Sequence, residues 1–147
     1  MRKQGFLGRV LVAAFAVAFA LSLPAVCLAD MAGSDFVKEA KKAIKEVPMA
    51  EAKAEIEKVP SVVILDVRTE KEFKGGHIPK AVHADRGTLE FRIAKAVPNK
   101  DSNIIVYCKG GDRSSLAAAT LSRMGYKNVR SMVGGWDDWV KAGYPVE

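Results

Sequence analysis

The segment Ile104-Ile105-Val106-Tyr107-Cys108-Lys109-Gly110-Gly111-Asp112-Arg113-Ser114-Ser115 constrains this chain more than any other. A continuous apolar run bounded by turn residues reads as a buried strand. The glycine pair turns the backbone. Ser114 or Ser115 then starts a helix with Ala117, Leu121 and Met124 on one face, and Gly125 closes it. This arrangement sets the Cys108 thiol among backbone N–H groups at a helix N-terminus. Such a setting favours the thiolate and holds an anion beside it.

The alternation runs along the rest of the chain. Val37, Ala40, Ile44 and Val47 are spaced as one helix over 35–47, ended by Pro48, and residues 30–36 read as a loose tail. Ala52, Ile56 and Val59 mark a second short helix, ended before Pro60. Ser61 to Leu65 reads as a buried strand. Thr69 and Glu72 form a capping box for a short helix through Phe73, stopped by Gly75-Gly76. Ala81 to Ala84 is a short strand, and Leu89, Ile93 and Ala96 mark a helix that stops at Pro98. Asn103–Tyr107 and Asn128–Met132 are the remaining strands. Gly134-Gly135 leads into a last helix with Trp136 and Val140 on one side. Strands alternating with helices predict an α/β domain around a largely parallel sheet. Ligands of such sheets bind beyond the carboxyl ends of the strands. Cys108, Asp66 and Asp85-Arg86 all follow such ends, so they are expected around one pocket.

The first residues bear on compartment. Arg2, Lys3 and Arg9 precede an uncharged apolar run from Val10 to Leu23, and Pro24 breaks it. The run has the length of a signal-peptide core and is short for a membrane span. Small residues at Cys27 and Ala29 place cleavage after Ala29, so residues 1–29 are expected to be a signal peptide and the mature protein periplasmic or secreted, without a stable membrane anchor. An uncleaved anchor is the alternative. Cleavage removes three of the 23 basic residues and no acidic one, lowering the formal charge from +6 to +3. That mild excess, without a Lys/Arg cluster interleaved with aromatics, argues against nucleic-acid binding. Cys27 leaves with the signal, so Cys108 is the only mature cysteine and no internal disulfide can form.

The loop chemistry narrows the function. Lys109 and Arg113 add positive charge to the N–H groups of residues 109–113, and Gly110 and Gly111 allow the tight turn. The only histidines are His77 and His83. His77 reads as a turn residue with a backbone hydrogen bond, so a Cys–His hydrolase is not supported. One cysteine and two separated histidines lack metal-ligand spacing, and no cofactor is implied.

These pieces resemble the single-domain rhodaneses, the thiosulfate sulfurtransferase family. The resemblance rests on Val63-Ile64-Leu65-Asp66-Val67-Arg68, Glu72-Phe73-Lys74-Gly75-Gly76-His77-Ile78-Pro79-Lys80-Ala81, the loop Cys108 to Ser114, and Val133-Gly134-Gly135-Trp136. It places residues 30–47 as an N-terminal tail and helix and 48–147 as a rhodanese-like domain. It implies a five-stranded, mostly parallel sheet with helices on both faces. It also implies double displacement: Cys108 takes a sulfane sulfur from thiosulfate or a similar anionic donor as a persulfide. Cyanide or a thiol, including a protein sulfur acceptor, then removes it. Substrate contacts are expected from Lys109, Gly110, Gly111, Asp112, Arg113 and, at the pocket mouth, Arg86. Asp66, Arg68 and Ser114 are expected to support the loop. For Arg113 a structural ion pair with Asp66 stands beside a substrate role. Trp136 is expected to pack in the core. Lys80 stands where many relatives have glycine, and Asp112 is unwelcome beside an anion unless it points outward or pairs with Arg113. A non-catalytic sulfur carrier or binding module is the alternative. A phosphatase of the same fold is disfavoured because its loop carries one more residue between Cys and Arg.

Overall fold

A computed structural model describes residues 31–147. The expected signal peptide lies outside the described residues. No helix among the described residues is long and apolar enough to cross a membrane.

The elements run α1 (Gly33–Ala43), β1 (Lys45–Val47), α2 (Met49–Lys58), β2 (Val63–Asp66), α3 (Glu70–Lys74), β3 (Val82–His83), a 3-10 turn (Arg86–Thr88), α4 (Leu89–Ala96), β4 (Asn103–Tyr107), α5 (Asp112–Arg123), β5 (Asn128–Met132) and α6 (Gly135–Lys141). The five strands form one all-parallel sheet in the order β1-β5-β4-β2-β3. The α/β architecture expected from sequence is therefore present, with β4 and β5 at the expected residues.

Strand alternation builds a core on each face. Ile104, Val106 and Cys108 face one side with Leu65, and α4 and α5 cover them through Leu89, Ile93, Ala117, Ala118 and Leu121. Ile105 and Tyr107 face the other with Ile64, where Ala52 of α2 and Trp139 of α6 cover them. Both faces of the central strands are thus apolar, as a parallel sheet between helix layers requires.

The N-terminal region departs from expectation. Helix α1 starts at Gly33, inside the expected tail, and ends at Ala43. The residues read as its last turn form β1, whose Val47 is buried and pairs with Met132. The spacing of Ile44 and Val47 suits a helix, yet Lys45 to Val47 pair with the edge of β5, so tertiary contact overrides the periodicity. Helix α6 also differs: Trp139 enters the core, Trp136 is only partly buried and Val140 is exposed.

Candidate active site

Strand β4 ends at Tyr107 and delivers Cys108 to the carboxyl edge of the sheet, where the side chain is only 1% exposed. The loop then turns into α5, which starts at Asp112, two residues before the expected serines. Of the two glycines only Gly111 has the left-handed φ, +106°, that a side chain resists. This turn aims the Gly111 N–H at Cys108 Sγ, 3.1 Å away. A Cβ on Gly110 would meet nothing within 4 Å.

Helix α6 secures the back of the loop. Trp136 N–H donates to the Cys108 carbonyl at 2.7 Å, and Asp137 N–H to the Lys109 carbonyl at 3.1 Å. In a trans peptide the C=O and N–H point in opposite directions. Tying these carbonyls to α6 therefore turns the N–H groups of Lys109 and Gly110 away from α6. Gly135 permits the approach: at φ +62°, a Cβ there would lie 2.5 Å from the Cys108 carbonyl oxygen and 2.6 Å from that of Lys109. The Gly134-Gly135 pair was legible as a turn, but its role in holding the cysteine loop was not.

Beneath the thiol lies a buried hydroxyl chain. Ser114 Oγ is 3.6 Å from Cys108 Sγ and donates to the Gly111 carbonyl at 2.9 Å, while Ser131 Oγ donates to Ser114 Oγ at 2.9 Å. Ser115 Oγ also donates to the Gly111 carbonyl, at 2.8 Å. Ser114, named from sequence, is thus hydrogen-bonded into the loop; Ser131, on β5, was not anticipated from sequence.

The charged residues sort differently from expectation. Arg113 pairs with Glu72, not Asp66: its Nη1 and Nη2 each donate to a Glu72 carboxylate oxygen at 2.8 Å. Glu72 also closes the capping box of α3, accepting from Thr69 N–H at 2.9 Å and Thr69 Oγ at 2.8 Å. The Arg113 guanidinium holds the Glu72 carboxyl far below the usual carboxylate range, against the opposing effect of burial. Asp66 is unavailable to Arg113 because Arg68 occupies it through Nε and Nη2, the shortest contact being 2.6 Å, with both side chains buried. Arg68 Nη2 also donates to the Gly76 carbonyl at 2.7 Å, and its guanidinium lies 4.4 Å from the Trp136 ring centre. Asp66 and Arg68 thus brace the loop that follows β2, and not directly the Cys108 loop that they were expected to support. Burial, with the Asp66 carboxylate beside it, pushes the Tyr107 phenol up, and its oxygen accepts from Ile78 N–H at 3.1 Å.

Asp112 points outward, its side chain 73% exposed, and its carboxylate lies 3.6 Å from Lys41 Nζ of α1. Lys109 is exposed on the loop. Arg86 is not at the mouth of the cysteine loop. It donates to Glu90 at 3.0 Å and to Thr120 Oγ on α5 at 3.2 Å, and it lines a groove between α1 and α5 with Phe36, Ala40 and Arg123. The strand ends at His83, one residue before the expected Ala84, and Glu90, one helical turn on from Arg86, draws the guanidinium away. Neither histidine reaches the thiol: His77 Nδ1 bonds the Phe73 carbonyl at 3.1 Å and His83 Nε2 the Arg68 carbonyl at 2.8 Å. No metal-binding cluster occurs among the described residues.

The site is therefore one buried thiol that receives the Gly111 N–H, with Lys109 and Arg113 on the segment after it and neither histidine in reach. A profile of the rhodanese-like domain matches residues 48–142. The thiosulfate sulfurtransferase GlpE of Pseudomonas savastanoi is 38% identical over 103 residues, covering 70% of this chain and 92% of GlpE. YrkF of Bacillus subtilis, described as a sulfur carrier protein, is 34% identical over 107 residues; 73% of this chain aligns, and the match spans 57% of YrkF. Among solved structures, the polysulfide-sulfur transferase homodimer of Wolinella succinogenes superposes with a TM-score of 0.66 at 31% identity, over 76% of this chain and 83% of that one. A Rhodopseudomonas palustris protein of unknown function, described as a possible tyrosine phosphatase, gives 0.71 at 34% identity, over 80% and 95%. The names of GlpE, YrkF and the Wolinella protein all refer to sulfur transfer or carriage, and the chain belongs to the rhodanese-like domain family.

Proposed function

We propose that this protein is a thiosulfate-type sulfurtransferase working through a Cys108 persulfide. The observation that carries the reading is the buried Cys108 Sγ receiving the Gly111 N–H at 3.1 Å, with four residues between Cys108 and Arg113. The thiolate attacks the outer sulfur of the donor. A Cys108 Sγ–S bond forms, the donor S–S bond breaks, and sulfite leaves with the bonding electron pair. Cyanide or a thiolate then attacks the outer sulfur of the persulfide and returns the Cys108 thiolate. Both resting and loaded forms are anions, so one set of N–H donors stabilises each of them. The depth of the thiol favours a slim, terminal sulfur over a bulky group. The basic and apolar composition of residues 1–29 supports placing this activity in the periplasm or outside the cell.

A carrier reading has support in the resemblance to YrkF. In that case Cys108 accepts sulfur only from a protein partner. Purified protein turning over thiosulfate and cyanide to thiocyanate supports the enzyme; loading only from a partner supports the carrier. The Cys108→Ser variant is expected to lose at least about a thousandfold in thiocyanate formation, since the nucleophile itself is gone. Retained turnover in that variant would refute the persulfide route.

A further inference from the structure

Three charged side chains belong to the loop, and two are neutralised. Asp112 faces Lys41, and Arg113 is held end-on by both oxygens of Glu72. Glu72 is not free to swing aside, because the N–H and hydroxyl of Thr69 hold the same carboxylate. The positive charge of Arg113 is therefore cancelled before any donor arrives, although its Nε–H and two further N–H groups remain to hydrogen bond. Lys109 alone brings uncompensated formal charge, from an exposed position.

We propose that Glu72 is a positioning residue that selects sulfur donors by charge, setting the site for singly charged donors over doubly charged ones. The inference rests on the sulfur-transfer reading and deepens it. Thiosulfate carries two negative charges. An alkyl thiosulfonate such as methanethiosulfonate carries one and undergoes the same transfer. The Cys108 Sγ–S bond forms, its own S–S bond breaks, and methanesulfinate leaves with the electron pair. The pair of donors differs mainly in charge, so the ratio of their kcat/KM values reads the field at the site.

The experiment measures that ratio, thiosulfate over methanethiosulfonate, in the wild type, E72Q, R113Q and the double variant. Glutamine retains the capping box, since Gln serves at that position as Glu does. E72Q exposes one positive charge and should raise the ratio about tenfold, the effect of one unit charge acting at several Å in a partly hydrated site. The gain should shrink as salt is added. R113Q leaves Glu72 unpaired and should lower the ratio, and the double variant should return it near the wild-type value. An E72Q ratio within about twofold of wild type, with both donors turned over, would overturn the proposal. Should E72Q not fold alone, the double variant against R113Q removes the same charge, and equal ratios there would overturn it too. Failure of both donors to load wild-type Cys108 would be a different result: it would remove the sulfur-transfer reading, and this proposal with it.

Discussion

The two ends of the sheet carry nearly the same ion pair and put it to different use. At the carboxyl end, Arg113 grips Glu72 with two bonds of 2.8 Å. At the amino end, Arg130 grips Glu55 with two bonds of 2.7 Å. Asn103 joins the second pair, donating to Glu55 at 2.7 Å and accepting from Arg130 at 2.8 Å. That cluster ties α2 to the first residues of β4 and to β5, where no nucleophile stands. The Arg113 pair instead joins a short helix to the cysteine loop. Identical side-chain chemistry thus gives a cross-link at one end and a charge filter at the other. What distinguishes them is the neighbourhood: a Gly111 turn with its N–H on a sulfur, and a second helix N-terminus holding the loop from behind.

The largest effect that would sharpen this contrast comes from Gly135. G135A drives a Cβ into the carbonyls of Cys108 and Lys109 from a positive-φ position, and should cost roughly 2–4 kcal/mol of stability. Urea unfolding checks the loss. Sulfur transfer by the remaining folded protein should fall as well, since the N–H groups of the loop lose their aim. If transfer per folded molecule were unchanged, α6 would not be what orients the loop.

The amino end should answer only in stability. E55Q is expected to cost about 1 kcal/mol near neutral pH, a modest figure because the pair is partly solvated. It should leave thiocyanate formation per folded molecule unaltered. Acid separates the contributions further. Hydrogen bonding from Arg130 lowers the Glu55 carboxyl, and the Arg113 guanidinium lowers that of Glu72. A carboxyl depressed in the folded state stabilises the fold above its unfolded value of about 4.3, and that stabilisation is lost as pH falls through the folded value. The stability gap between wild type and either Gln variant should therefore narrow below about pH 4, as urea midpoints measured from pH 7 to 2 would show. A gap that widened in acid would contradict both pairs.

The smallest expected effect concerns Lys80, just before β3 on the amino side. It sits at φ +67°, the one non-glycine residue with positive φ among the described residues. K80G should stabilise the fold by about 0.5–1 kcal/mol, because relief of left-handed strain outweighs the added freedom of the unfolded chain. Thermal unfolding of the variant provides the check, and lowered stability would mean that Lys80 makes a contact stronger than the strain.

The same contrast explains what could be read from sequence. A strand buried on both faces announces itself as an apolar run, so β4 was legible, and so were the helix after it and the Thr69–Glu72 capping box; β5 was read at its observed bounds although only Val129 and Met132 in it are apolar. Strand β1 was not. Its residues are Lys45, Glu46 and Val47, and only pairing with β5 makes them a strand. At the site, the cysteine, its glycine turn and its serine support were readable because their contacts are local. The Arg113 partner lies 41 residues away, and the expectation that strand ends meet at one pocket favoured Asp66, which Arg68 takes. Arg86 was misplaced for a related reason: the end of a strand locates a backbone, not the direction of a long side chain.

In the proposed reaction the Cys108 sulfur carries the transferred atom. The most direct test is the intact mass of the protein after incubation with thiosulfate alone, followed by peptide mapping. The expected result is the gain of one sulfur atom, confined to the peptide containing Cys108 and lost on adding cyanide with release of an equal amount of thiocyanate. Thiocyanate formation by a protein whose Cys108 peptide never gains that mass would contradict it.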